Sequence, residues 1–253
     1  MAYVDADVEG PNGHLFFHPD FTWIERHAVP VPTLQGKACS GCGECAAACQ
    51  FGAIVSGDHG VTVYPDLCHS CGVCVRACPE ASLREEVRET GTLRRGHVGG
   101  MDFVDGALDP GQTRAVPLIQ ATLALGRRAD IAIVDAPPGT SCSAVAAVED
   151  ADLVLLVCEP TVFGLHDLEL SLQMCEALGL DAAAVVNRSD LGSDGVRSFL
   201  SHEGVPVLAE IPFDREIAAA CAAGALASEE IPGFAATMDG MAGHLLTWCG
   251  VHP

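Results

Sequence analysis

Cys39-Ser-Gly-Cys42-Gly-Glu-Cys45-Ala-Ala-Ala-Cys49 is followed, 29 positions on, by Cys68-His-Ser-Cys71-Gly-Val-Cys74-Val-Arg-Ala-Cys78-Pro79. All four cysteines recur at one offset, so the stretch is an internal repeat. Two-residue gaps wrap a short loop around three corners of an iron-sulfur cubane, while the fourth cysteine points away and ligates the other cluster. The spacing therefore predicts two 4Fe-4S clusters. The first takes Cys39, Cys42, Cys45 and Cys78, and the second takes Cys68, Cys71, Cys74 and Cys49. Gly41, Gly43 and Gly72 suit loops whose amides approach inorganic sulfide. Structural zinc favours two ligand pairs across a longer gap, and two runs of four suit cubanes better. Gln50 stands where a proline usually follows the fourth cysteine, a departure that removes no ligand.

Working outward, the chain of 253 residues has room for an ordinary domain and a small one. Hydrophobic residues make up 49% and aromatics only 5%. Ala, Val and Leu carry that content, which suits buried parallel strands covered by helices. A formal net charge of -21 repels nucleic acid and anionic membrane and favours a basic protein partner. No apolar run reaches the ~20 residues of a membrane span, and the first residues lack the pattern of a signal peptide. Thirteen cysteines, eight of them in cluster spacing, belong in a reducing compartment, and the expected location is the cytoplasm.

Around the cysteine module the pattern is α/β. Residues 2 to 5 read as a buried strand running into the acids Asp5 and Asp7, where open α/β sheets hold ligands. The module, placed at 35–90, begins after Pro30-Val-Pro32 and ends in the charged run Arg84 to Arg95. Its middle reads as a small hairpin around Gly57-Asp-His-Gly60. Beyond it, Arg114 to Arg128 has helical spacing. Ile131 to Val134 is a strand ending on Asp135 and a Pro137-Pro138-Gly139 turn, the arrangement in which a carboxylate holds the water shell of magnesium beside a nucleotide phosphate. Further strands end at Glu159, at Asn187 and at Pro212-Phe213-Asp214, with helices between them, which implies a mainly parallel sheet with these polar tips on one edge.

Asp5-Ala-Asp-Val-Glu-Gly-Pro-Asn12, the double cysteine run, Asp135-Ala-Pro-Pro-Gly-Thr140, Glu159-Pro-Thr-Val-Phe-Gly-Leu165, Val186-Asn-Arg-Ser-Asp190 and Glu210-Ile-Pro-Phe-Asp-Arg-Glu216 stand in the order of one family. Together they resemble the MinD superfamily of deviant P-loop ATPases that carry an inserted ferredoxin domain. The resemblance implies a nucleotide-binding α/β domain made of 1–34 and 91–253, with the two-cluster ferredoxin inserted at 35–90. By it Asp7 orients the attacking water, Asp5 sits near magnesium and Asp135 is the Walker B acid, with Gly139 in the turn behind it. Asn187 reads the adenine edge beside Pro212 and Asp214, with Glu159 close by. It further implies ATP and magnesium as cofactors and a homodimer that sandwiches nucleotide.

The family opens with a strand and a Gly-Lys-Gly-Gly-x-Gly-Lys-Thr phosphate loop, and no Gly-Lys-Ser/Thr occurs in this chain. The resemblance thus implies an N-terminally truncated frame. Either the true start lies upstream and supplies the loop, or an iron-sulfur protein is built on a degraded ATPase frame. The first is preferred, because a missing central strand leaves an apolar face bare. The expected activity is electron transfer coupled to ATP binding or hydrolysis, with a redox or iron-sulfur acceptor protein as partner. The alternative is a non-hydrolytic carrier or scaffold for clusters. Spatial positioning of DNA or division proteins is disfavoured by the acidic surface and by the lack of Lys or Arg in the apolar segment Ala235 to Trp248.

The remaining cysteines, Cys142, Cys158, Cys175, Cys221 and Cys249, read as buried core thiols without ligand spacing. The ten histidines form no cluster, and His69 is expected to tune a cluster by a hydrogen bond.

Overall fold

The computed structural model describes residues 1–35, 39–57, 60–127 and 129–250. The chain opens on β1 (Ala2–Asp5), a short helix α1 (His14–Phe17) and the long strand β2 (Asp20–Leu34). The cysteine runs contribute α2 (Glu44–Ala47), the hairpin strands β3 (Ile54–Gly57) and β4 (Gly60–Val63), and α3 (Val73–Ala77). The chain then returns through β5 (Leu83–Val98) and β6 (Met101–Leu108). Alternating elements follow: α4 (Val116–Gly126), β7 (Ala132–Asp135), α5 (Cys142–Val148), β8 (Val154–Cys158) and α6 (Val162–Leu178). The last are β9 (Ala182–Asn187), α7 (Gly195–Glu203), β10 (Val207–Ile211), α8 (Arg215–Ala222), α9 (Ala227–Glu230) and α10 (Pro232–Trp248). The expected hairpin forms, although its turn residues Asp58 and His59, like Arg128 at the end of the expected helix and His252, lie outside the described residues.

The fold is α/β with mainly parallel pairing. One sheet has the order β2-β5-β6-β1-β7 and another the order β10-β9-β8. β1 runs parallel to both β6 and β7, and β9 parallel to both β8 and β10. The strands β2, β5 and β6 escaped the sequence reading. β2 was hidden by Pro30 and Pro32, which an edge strand tolerates because one row of its amides needs no partner. The run Arg84 to Arg95, read as a charged connection, is the strand β5. Its charges are met by pairs such as Arg26 with Glu89, so a two-faced ribbon forms without a deep core.

That ribbon joins the cysteine module to the sheet. β2 and β5 pair antiparallel from Asp20 and His97 to Leu34 and Leu83, with a register shift between His27 and Ala28. Beyond the shift, Val29 and Val31 pack with Ala53 and Cys68, and Leu83 packs with Cys45, Ile54 and Cys74. The module's core is thus partly built from its own tether.

The main core lies where α4 covers the sheet. Leu118, Ile119 and Leu123 bury against Ala2, Val4 and Val8 of the β1 segment. Gly126 allows the close approach, since a Cβ there would stand 2.2 Å from Val4 Cγ2. Residues of both sheets share this core, Val134 of β7 lying with Val154 and Leu156 of β8. Yet β7 and β8 each end their own sheet, with Ile133 52% and Val157 67% exposed. Two strand edges, without a partner among the described residues, thus lie over one core.

Candidate cluster and carboxylate sites

The sequence repeat is also a structural one. Gly43 (φ 80) and Gly72 (φ 69) take the same left-handed conformation, which a side chain would strain, and each opens a short helix. Cys45 and Cys74 occupy the second position of those helices and turn inward. Cys49, Cys68, Cys71 and Cys74 line one cavity, walled by Pro32, Phe51 and Ile54. In the other half, burial pushes the Cys45 thiol up, and the neighbouring charges of Cys78 and Cys39 add to this. Cys49 therefore stands with the first three cysteines of the second run, and Cys78 with Cys39 and Cys45 of the first.

These donors suit the group that the spacing implies. The Ser70 amide donates to Cys68 Sγ at 3.4 Å, and the Ser82 amide to Cys78 Sγ at 3.3 Å, leaving both sulfurs in the setting of a thiolate ligand. Burial alone would raise the Cys78 thiol, but amides of Ser82, Glu80 and Leu83 bring it below its ordinary value. Cys42 and Cys71 are the exposed cysteines of the two runs. His69 lines the same cavity, its ring stacked on Phe51 with centroids 3.7 Å apart and planes at 9°. Among the described residues, no three His, Cys, Asp or Glu side chains converge on a single-ion site.

The second site is the carboxyl edge of the large sheet. Asp5 pairs in register with Asp105 on β6 and with Asp135 on β7, so three carboxylates stand side by side across three adjacent parallel strands, ending β1 and β7 and lying within the longer β6. The sequence carried a signal that was missed: Tyr3-Val4-Asp5, Phe103-Val104-Asp105 and Ile133-Val134-Asp135 repeat one pattern. Asp105 is fully buried and its charge is met by Arg94, whose Nε donates to Oδ1 at 2.8 Å and whose second nitrogen bonds Oδ2. Arg94 also lies over the Phe21 ring, 4.5 Å from its centroid. Tyr3 donates its hydroxyl to Asp135 Oδ2 at 2.7 Å. Burial first, then this bond, drives the Tyr3 pKa far up, which keeps it a donor.

Asp5 is only 1% exposed. The amides of Asn12 and Gly13 donate to its Oδ2 at 2.9 and 2.8 Å, while Oδ1 is buried without a partner among the described residues. Burial pushes its pKa up, and the charges of Asp135 and Asp105 add to this against the two amides. Asp7 is raised likewise, by burial and then by Asp135. Asp7, Glu9, Gly10, Pro137, Pro138, Ser141 and Ser143 line an open cleft of about 380 Å³. Gly139 (φ 84) turns the chain behind Asp135.

The sign of these shifts sets a test. A carboxyl held above its ordinary pKa contributes stability that is complete below the ordinary value and is lost as pH rises through the raised one. Asp5→Asn keeps an acceptor for the two amides and gives the orphaned position a donor facing Asp105 and Asp135. In metal-free protein at neutral pH the variant should gain on the order of 1 kcal/mol in denaturant unfolding. That gain should shrink as pH falls toward about 4. A loss of stability at pH 7 would contradict this account.

The other expected residues gather on the smaller sheet. Asn187 ends β9, and Glu159 and Asp214 follow the carboxyl ends of its parallel neighbours β8 and β10, with Pro212 in the last connection. Arg188 spans them, pairing with Glu159 at 3.5 Å and lying 5.9 Å from the Phe213 centroid. Asp214 has a structural role too, capping α8 by accepting from the Glu216 amide at 2.7 Å. Of the scattered cysteines, Cys158 and Cys175 are buried as expected. Cys142, Cys221 and Cys249 are exposed, against expectation: Cys142 opens α5 and Cys221 lies on α8, both outside the buried positions of their helices, and Cys249 follows α10.

Comparison with known proteins agrees with the first site. Residues 38–83 match the model of a 4Fe-4S dicluster domain. The chain is 30% identical to the uncharacterized protein MJ0578 of Methanocaldococcus jannaschii over 217 residues, 85% of this chain and 74% of that one. It is 25% identical over 195 residues to MJ0579 of the same organism, 74% of this chain and 68% of that protein. Among solved structures, a MinD cell division protein of Aquifex aeolicus superposes with a TM-score of 0.43 at 19% identity, over 56% of this chain and 64% of that one. A ParA family ATPase of Chlorobium tepidum superposes with a TM-score of 0.47 at 16% identity, over 60% of this chain and 66% of that one. The chain thus spans less than two thirds of either solved protein.

Proposed function

The chain belongs to the family of the uncharacterized protein MJ0578, and from its dicluster domain we propose that it holds two 4Fe-4S clusters and passes electrons under the control of a MinD-like nucleotide-binding frame. Cys39, Cys42, Cys45 and Cys78 would hold the first cluster, and Cys68, Cys71, Cys74 and Cys49 the second. Each cluster supplies the uptake and release of one electron. The protein's own part is to orient the thiolates, direct the Ser70 and Ser82 amides at sulfur, and exclude water with Ile54 and Leu83. The observation that carries this reading is the crossing of the fourth cysteines, Cys49 beside the second run and Cys78 beside the first.

In the frame, Asp135 would hold the water shell of magnesium, Asp5 would stand beside it, Asp7 would orient the attacking water, and Gly139 would form the turn behind them. Asn187, Pro212 and Asp214, with Glu159, would take the base. The phosphate loop of such a frame has no counterpart in these residues, so the ATP part of the proposal requires one supplied from beyond them. α4 gives the two halves a mechanical link, because it starts near the second cysteine run and ends packed on β1. A nucleotide-dependent homodimer across the Asp7 cleft, a redox acceptor protein and a cytoplasmic setting belong to the same reading. Among the described residues no helix is long and apolar enough to cross a membrane.

Anaerobic reconstitution should load on the order of eight irons and eight sulfides per chain, with low-potential signals on reduction. Zinc, or iron well short of one cubane, would overturn the proposal. The exposure of Cys42 and Cys71 favours a second reading, a carrier that hands its clusters over. Incubation with an apo-acceptor separates the two: an electron-transfer protein keeps its iron and a carrier loses it.

A further inference from the structure

Arg114 belongs to the frame, in the segment between β6 and α4, yet its guanidinium reaches the second cysteine run. Its Nη1 donates to Ser70 Oγ at 3.2 Å, and Ser70 in turn donates its amide to Cys68 Sγ at 3.4 Å. Nη2 is buried and has no hydrogen-bond partner among the described residues. Asp66, the nearby carboxylate, is already engaged by Arg88 at 2.6 Å. A buried donor left unmatched costs on the order of 1 to 3 kcal/mol, more when it is charged, so such a group implies an acceptor. The group that the four cysteines of this cavity suit is an anion whose thiolate and sulfide atoms are such acceptors.

We propose that Arg114 is a positioning residue for cluster two, donating Nη2–H to its sulfur and fixing its reduction potential from the start of α4. Hydrogen bonds and positive charge at sulfur stabilise the reduced, more negative state of such a cluster. The side chain is a permanent cation: burial lowers its pKa, but a guanidinium has far to fall before it loses a proton. Ser70, held at φ 57, keeps the contact in place. Because α4 also packs on β1, a shift of the Asp5 strand would move Arg114 relative to the cluster. The inference rests on the cluster assignment of the proposed function and adds the residue through which the frame acts on one cluster and not the other.

The test is a potentiometric titration of the reconstituted full chain, followed by electron paramagnetic resonance, with Arg114→Gln and Arg114→Lys beside the wild type. In the glutamine variant one of the two midpoints should move to lower potential by at least a tenfold change in the reduced-to-oxidised ratio, ~59 mV for a one-electron couple. The other midpoint should stay. Lysine, which keeps the charge and loses the fork, should move the same midpoint by less. Iron content and helical circular dichroism show whether the fold is intact. If the glutamine variant fails to load cluster two, the lysine variant carries the test. Two unmoved midpoints, or two that move together, would overturn the inference while leaving the two-cluster assignment standing. A wild-type chain that loads no clusters would defeat that assignment before any variant is made.

Discussion

Changing Cys78 to serine is expected to empty cluster one and spare cluster two, although Cys78 belongs by sequence to the second run. Its thiol stands with Cys39 and Cys45, whereas Cys68, Cys71 and Cys74 line a cavity with Cys49. Serine is nearly isosteric but a poor ligand for iron, so a cubane left with three thiolates should be lost on purification, about four irons of about eight. Single variants cannot say which cluster left, but pairs can, because changes within one cooperative unit do not add. Cys78→Ser with Cys42→Ser should cost no more iron than either alone, whereas Cys78→Ser with Cys71→Ser should strip the chain. Cys49→Ser should behave in the opposite way. The reverse pattern of additivity would show that each run closes on itself.

Arg94→Met should be the most damaging change among residues that touch no cluster. It leaves Asp105, fully buried, without its bidentate partner, and replaces the guanidinium over Phe21 by an apolar side chain. Removing one partner of a buried pair costs ~3–5 kcal/mol. In a chain of this size that is roughly 10 °C in Tm. Arg94→Met combined with Asp105→Asn should recover most of the loss, since the uncompensated charge is then gone. Thermal unfolding of the cluster-free protein reads both variants. A double variant as unstable as the single one would mean that packing, and not charge, makes Arg94 necessary.

The cysteine runs were legible because ligand spacing is local: a two-residue gap means the same thing in any fold. Asp5 and Asp135 were legible as acids ending apolar strands, and the helices after β6 by their spacing. Asp105 was not read, although it ends the same three-residue pattern, because its role depends on β6 lying beside β1, a pairing that crosses the whole module. β2 and β5 were missed for a related reason. Their prolines and charges argue against a strand one residue at a time, and only the partner across the ribbon makes them one. Arg114 carries no sequence signal, since nothing in its neighbourhood of the chain marks the distance it closes to Ser70.

The two strand edges left open at β7 and β8 have a consequence for cooperativity. Where a sheet is continuous, amide ladders make its strands unfold together. Here Asp5, Asp105 and Asp135 stand on one ladder and the tips at Glu159, Asn187 and Asp214 on another, with side chains of both packed in one core and no ladder between them among the described residues. Native-state hydrogen exchange should resolve them as separate foldons, the β8 to β10 unit opening at lower free energy. An extended segment laid against both edges would merge the foldons, and the carboxylate and base-side groups would then move as one body.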